Sequence, residues 1–187
     1  TGASSGIGAE FARQLAAQGY DLILVARRGD RLAALAAELQ GRHGITVEPL
    51  VADLSTTGGI DKTATRLAEL SNLALLVNNA GFGISGSLAR AELQGQLDML
   101  NVHVVAPMHL SHAALPGMIT RGSGGIINVA SLAAFMALPG EINYCATKAY
   151  LVTFSQALAA EVRRKGVRVQ ALCPGFTITE FHDEPGR

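Results

Sequence analysis

The chain has 187 residues, 49% hydrophobic and 16% charged, with 15 basic side chains against 15 acidic ones. This composition supports one domain with a real core (1–187), favours a well-buried globular protein over a disordered one, and gives no electrostatic reason to expect nucleic acid or an anionic membrane as partner. Apolar runs fall well short of the ~20 residues of a spanning helix, and Cys145 and Cys173, far apart with no Cys-x-x-Cys, read as reduced buried thiols in a cytoplasmic setting.

Helical and strand periods alternate along the chain. Gly6 to Gln18 reads as a helix stopped by Gly19, and Leu22 to Ala26 as a strand buried on both faces. Asp30 to Gln40 is helical, with Leu32, Leu35, Ala36 and Leu39 on one stripe and Gly41 as its stop; Thr46 to Ala52 is a strand. Ile60 to Leu70 is a helix and Leu73 to Asn78 a strand. Leu88 to Ile119 is a long helical region with a break near Gly95 and a kink at Pro107, whose ring crowds the carbonyl of His103. Gly125 to Ser131 is a strand, Asn143 to Lys165 a helix closed by Arg163-Arg164-Lys165 and Gly166, and Val167 to Leu172 the last strand. The alternation predicts a Rossmann-type, doubly wound α/β domain of three layers on a parallel sheet. A dinucleotide fold needs a strand feeding its glycine loop, and here the loop begins at Thr1. The chain therefore reads as a fragment lacking a central first strand and a C-terminal covering segment.

Three groups of residues carry chemistry. The loop Thr1-Gly2-Ala3-Ser4-Ser5-Gly6-Ile7-Gly8 opens the first helix. Its glycines let backbone N–H groups approach a pyrophosphate that the helix N-terminus also attracts, and Ser4 and Ser5 add hydroxyls. After the strand Leu22 to Ala26, where an acid ~20 residues beyond the loop would hold a ribose hydroxyl, the chain has Arg27 and Arg28. Guanidinium groups suit a 2′-phosphate, so the cofactor expected is NADP(H) rather than NAD. Third, Tyr144 and Lys148 lie one helical turn apart, and Ser131 reaches the same face from the end of a strand. His109 and His112 are three apart on a helix, but no further ligand completes a metal site nearby.

These motifs, in this order, together with Asp53-Leu54, Asn78-Asn79-Ala80-Gly81, Asn101 and Pro174-Gly175, resemble the short-chain dehydrogenase/reductase family from Thr1 to about Thr179. The resemblance implies that Asp53 bonds the adenine amino group with Leu54 packed nearby. It implies that Asn78 to Gly81 (Asn78, Ala80 and Gly81 among them) pass beside the adenosine ribose and steady the sheet. Pro174, Gly175, Thr177 and Thr179 would line the nicotinamide; Thr177 stands where the family often has Val or Ile. Asn101 would hold a water linking Lys148 to solvent. The two long helices, about 97–119 and 143–165, would pair subunits into a homodimer or homotetramer.

The expected activity is the interconversion of a ketone or aldehyde and its alcohol, on a substrate apolar near its carbonyl. Leu132, Ala133, Ala134, Met136 and Leu138 would wall the site, with Phe82 opposite. Tyr144 would be the general acid/base, with Ser131 orienting the substrate oxygen and Lys148 binding the ribose. A free tyrosine pKa of ~10 lies about three units above the working pH, or about 4 kcal/mol. An ammonium ~4 Å away at an effective dielectric of ~20 supplies about 4 kcal/mol, so Lys148 is expected to lower the Tyr144 pKa. The alternatives are an NADP(H)-binding sensor, which has no need of a proton donor, and a sugar epimerase or dehydratase, against which the glycine spacing speaks.

Overall fold

The structure, a computed structural model, describes residues 1–177. Its elements are α1 (Gly6–Ala17), β1 (Leu22–Ala26), α2 (Gly29–His43), β2 (Val47–Val51), α3 (Thr57–Ala68), β3 (Leu75–Asn78), α4 (Leu93–Leu100), α5 (Ala106–Arg121), β4 (Gly124–Val129), α6 (Ile142–Val162) and β5 (Val167–Leu172). Every strand pair is parallel. Leu22 stands opposite Val47, Leu75 opposite Gly125, and Gly124 opposite Val167. Parallel neighbours need crossover connections, which the helices supply. The ladders fall into two sheets, β1-β2 and β3-β4-β5. Between β1 and β3 runs a groove of about 450 Å³ lined by Leu22, Leu24, Leu76 and Val77, and by Phe11 and Leu15 of α1. Thr1 and Ala3 span its far end: the Thr1 amine donates to the Val77 carbonyl at 2.7 Å, and the Ala3 N–H to that of Val25 at 3.2 Å. The glycine loop is thereby fixed at the carboxyl ends of β1 and β3, where open α/β sheets place their ligands.

The core follows the predicted stripes. Leu32, Leu35, Ala36 and Leu39 of α2 are all buried, packed with Ala12, Ala16 and Leu24. Leu110 and Met118 of α5 meet Ile126 of β4 and Val162 of α6. Each fully buried side chain of this size contributes about 1.5–3 kcal/mol, so these contacts hold α5 and α6 against the sheet behind the site.

Three local expectations are corrected. α2 runs through Gly41 to His43 and stops at Gly44, which takes the left-handed φ of 68° that a C-terminal cap demands. No break occurs at Gly95, which lies inside α4; the helix starts at Leu93, not Leu88. The irregularity comes at Asn101–Val105, one π-helical turn in which the Ala106 N–H reaches back to the Asn101 carbonyl. Pro107 then falls in the first turn of α5, where a proline is tolerated. The wide turn thus replaces the expected simple kink. The last helix also tightens into a 3₁₀ turn at Arg163–Lys165 before Gly166.

Candidate active site

The glycine loop is a cradle built by exclusion. Gly2 has φ 67°, and a Cβ there would lie 2.7 Å from Asn79 Nδ2 and 2.9 Å from Ala80 Cα; one on Gly8 would lie 2.2 Å from the Gly2 carbonyl oxygen. Ser5 adopts the extended N-cap conformation but gives α1 no side-chain cap, which leaves the helix start suited to an anion. Across the loop, Arg28 donates through Nη2 to Ser5 Oγ at 2.7 Å and to Ser4 Oγ at 3.0 Å, with Nε at 3.1 Å from the same Ser4 oxygen. Arg27 is exposed. Of the two candidate arginines, the structure therefore places Arg28 on the loop. The charged fork, the serine hydroxyls and the bare helix start fit the phosphate groups of a dinucleotide.

The loop after β3 locks onto this cradle. The N–H groups of Asn79 and Ala80 both donate to Thr1 Oγ1 at 3.0 Å, and Asn79 Nδ2 donates to the Thr1 carbonyl at 3.1 Å. Asn78 turns the other way. Its amide is buried and donates to Asn128 Oδ1 at 2.8 Å, and Asn128 in turn donates to Ser155 Oγ at 2.9 Å. Its side chain therefore ties β3 to β4 and α6. Asp53 Oδ1 accepts from both the N–H and the hydroxyl of Ser55, at 3.0 and 2.8 Å. Thr56, not Asp53, caps α3, accepting from the Gly59 N–H at 3.1 Å. Leu54 is buried with Ile60, Val102 and Ala106, against Ala80 and Phe82.

Ser131, Tyr144 and Lys148 come together at the carboxyl end of β4. Ser131 is extended and leads into a 3₁₀ turn, Leu132–Phe135, where its Oγ accepts from the Ala133 N–H at 3.1 Å. Tyr144 and Lys148 project from the first turns of α6. Burial pushes the Tyr144 phenol above its usual pKa, while a hydrogen bond with Ser131 opposes the rise. Lys148 is only 4% exposed. Its ammonium donates to the Val129 carbonyl at 2.9 Å and sits 5.6 Å from the centroid of the Tyr144 ring. Burial lowers its pKa to about 8. The expected lowering of the tyrosine by this lysine is thus absent: at this separation, and with both groups desolvated, burial wins.

Asn101 opens the π turn and spends its side-chain amide on the Ser55 carbonyl at 2.7 Å, joining the helix to the loop after β2. Pro174 accepts at its carbonyl from the Leu132 N–H at 3.0 Å, which brings Pro174 and Gly175 beside the Ser131 turn. Thr177 donates to the Gly175 carbonyl at 3.1 Å; Thr179 lies outside the described residues. Around the mouth, Leu132, Phe135, Met136, Leu138 and Ile142 are exposed apolar side chains. Sequence reasoning missed His103. The ring of His103 is wholly buried, edge-on to Tyr144 at 5.7 Å between centroids. It lies inside the π turn, two residues beyond Asn101. Among the described residues no cluster of metal-ligating side chains occurs, and no helix is long and apolar enough to cross a membrane.

A family model described as short chain dehydrogenase matches residues 1–186. The chain is 33% identical to an uncharacterised oxidoreductase of Staphylococcus saprophyticus, over 96% of its own length and 77% of that protein's. It is 35% identical to the very-long-chain 3-oxoacyl-CoA reductase of Laccaria bicolor, covering 97% of this chain but 54% of the relative, which is thus nearly twice as long. A short-chain dehydrogenase from Sphingobium yanoikuyae, solved in complex with NADPH, superposes with a TM-score of 0.93 at 39% identity, over 96% of this chain and 70% of that one. A bulky-bulky ketone specific alcohol dehydrogenase from Comamonas testosteroni superposes with a TM-score of 0.92 at 36% identity, over 95% and 71%.

Proposed function

The chain belongs to the short-chain dehydrogenase family of nicotinamide-dependent oxidoreductases, and we propose from that premise that it interconverts a ketone or aldehyde and its alcohol with NADP(H) as cofactor. The observation that carries the reading is the meeting of Ser131, Tyr144 and Lys148 beside a glycine cradle already gripped by Arg28. When bound, the nicotinamide supplies or accepts the hydride. Tyr144 gives the proton to the carbonyl oxygen in reduction and takes it back in oxidation. Its raised pKa keeps the phenol protonated at neutral pH, the form that reduction requires. Ser131 donates to the same oxygen and holds it at the phenol. Lys148, still largely protonated at neutral pH, presents its charge behind Tyr144 and binds the ribose hydroxyls. Asn101 holds a water that links Lys148 to solvent.

Arg28, with Ser4 and Ser5, holds the 2′-phosphate. Gly2, Gly6, Ile7 and Gly8 cradle the pyrophosphate, while Asp53, Leu54, Ala80 and Gly81 border the adenosine and Asn78 steadies the sheet behind them. Pro174, Gly175 and Thr177 line the nicotinamide. The exposed apolar rim of Leu132, Phe135, Met136 and Ile142 favours a substrate with apolar groups next to its carbonyl; the Comamonas testosteroni relative, a bulky-bulky ketone specific alcohol dehydrogenase, is consistent with this. Leu97, Leu100 and Met108 form an exposed stripe along α4 and α5, and subunits pair through that face and α6, in a cytoplasmic enzyme. The test is a panel of aldehydes and ketones offered to the intact protein with NADPH or NADH, followed by cofactor absorbance. Turnover preferring NADPH supports the reading; cofactor binding with no turnover of any carbonyl would favour a sensor.

A further inference from the structure

Resting on the reading of Tyr144 as proton carrier, we propose that His103 is a positioning residue: a neutral imidazole, protonated on Nδ1, that clamps the loop after β3 to the Tyr144 turn of α6. The hydrogen bonds leave one tautomer. The Phe82 N–H donates to His103 Nε2 at 3.1 Å, so Nε2 carries no proton. Nδ1 lies 2.9 Å from Thr147 Oγ1, and that hydroxyl already donates to the Tyr144 carbonyl at 2.9 Å. Nδ1 must therefore be the donor. The chain of donors runs from His103 to Thr147 to the backbone of Tyr144 itself. An imidazolium would set Nε2–H against the Phe82 N–H, two donors with no acceptor between them.

The ring is wholly buried between aromatic neighbours. It stands edge-on to Tyr144, at 72°, and meets Phe82 at 5.9 Å between centroids. A Cβ on Gly81 would come within 2.9 Å of His103 Nε2 and 3.5 Å of Lys148 Nζ. Loop, imidazole and ammonium are thus in contact without space for a methyl group, which is a local reason for glycine at that position. Burial, and then the charge of Lys148, hold the imidazole pKa well below its usual value. Among the described residues, the ionisable groups against the ring are Tyr144 and Lys148, both on α6; the loop meets it through Gly81 and Phe82. A group so placed carries no proton through the reaction. It fixes where the phenol stands relative to the loop that borders cofactor and substrate.

The test uses the intact protein. With ¹⁵N-labelled histidine, long-range ¹H–¹⁵N correlation should show His103 as the Nδ1–H tautomer, unchanged between about pH 5.5 and 8.5 where an ordinary histidine titrates. Thr147→Val removes the acceptor at nearly constant volume, and His103→Ala removes the clamp. Both should lower kcat by about tenfold or more, the scale of a misplacement below 1 Å, with NADPH affinity within about threefold of the parent. His103→Gln, whose Oε1 can accept from the Phe82 N–H, should recover part of the loss. An Nε2–H tautomer, a titrating imidazole, or parental kcat in both Thr147→Val and His103→Ala would overturn the positioning role. An active Tyr144→Phe enzyme would instead overturn the proton-carrier reading, and the positioning role with it, so the two failures are told apart.

Discussion

Lys148→Met should make the cofactor-free protein more stable while removing its activity. The lysine is buried, and its pKa falls from 10.5 to about 8, chiefly through desolvation. At 1.36 kcal/mol per pKa unit, holding this ammonium inside the fold costs about 3 kcal/mol at neutral pH. Methionine has a similar length and no charge. It gives up the hydrogen bond to the Val129 carbonyl, worth about 1 kcal/mol. The net gain is about 2 kcal/mol, or roughly 4–8 °C in Tm for a domain of this size. The pH dependence carries the same signature. Because the folded pKa is depressed, the unfolded chain binds the extra proton between about pH 8 and 10.5, so wild-type stability rises with pH across that window. The methionine variant should lack this rise. Urea unfolding at several pH values measures both effects. A variant less stable than wild type at pH 7, or one with the same slope above pH 8, would refute the reasoning.

Three further outcomes follow from the same geometry. Arg28→Ala should cut the preference for NADPH over NADH by about tenfold or more, since charge-assisted bonds are the strong ones, whereas Arg27→Ala, at an exposed position, should change it less; steady-state kinetics with both cofactors checks this. Gly8→Ala forces a Cβ to within 2.2 Å of the Gly2 carbonyl oxygen and 2.5 Å of Asn79 Nδ2. It should cost about 1–3 kcal/mol of stability and weaken NADPH binding in fluorescence titration. Asn128→Ala strips partners from the buried Asn78 amide and from Ser155, and should lower stability by about 2 kcal/mol, read as a fall in the urea midpoint at unchanged slope.

Much of the fold was legible because short-range physics decides it. The stripe Leu32, Leu35, Ala36 and Leu39 announced its helix, and the four-residue spacing of Tyr144 and Lys148 put both on one face of α6. Gly41 misled because glycine only weakens a helix, by about 1 kcal/mol against alanine, whereas a stop needs a left-handed residue, which Gly44 supplies. The π turn at Asn101–Val105 could not be read from periodicity, which assumes 3.6 residues per turn; Pro107 marked the place but not the remedy. His103 was lost for the same reason. Which arginine reaches the Ser4-Ser5 loop depends on how the chain leaves β1, and the raised Tyr144 pKa depends on burial by parts distant in sequence. These are tertiary facts with no local signal.

The central claim, that Tyr144 carries the proton, is tested most directly by Tyr144→Phe in the intact protein, assayed for carbonyl reduction by NADPH absorbance and for NADPH binding by fluorescence. Loss of the phenol should reduce turnover by a factor on the order of 10²–10⁴, with cofactor affinity within about threefold of the parent. Near-parental turnover in that variant would contradict the account.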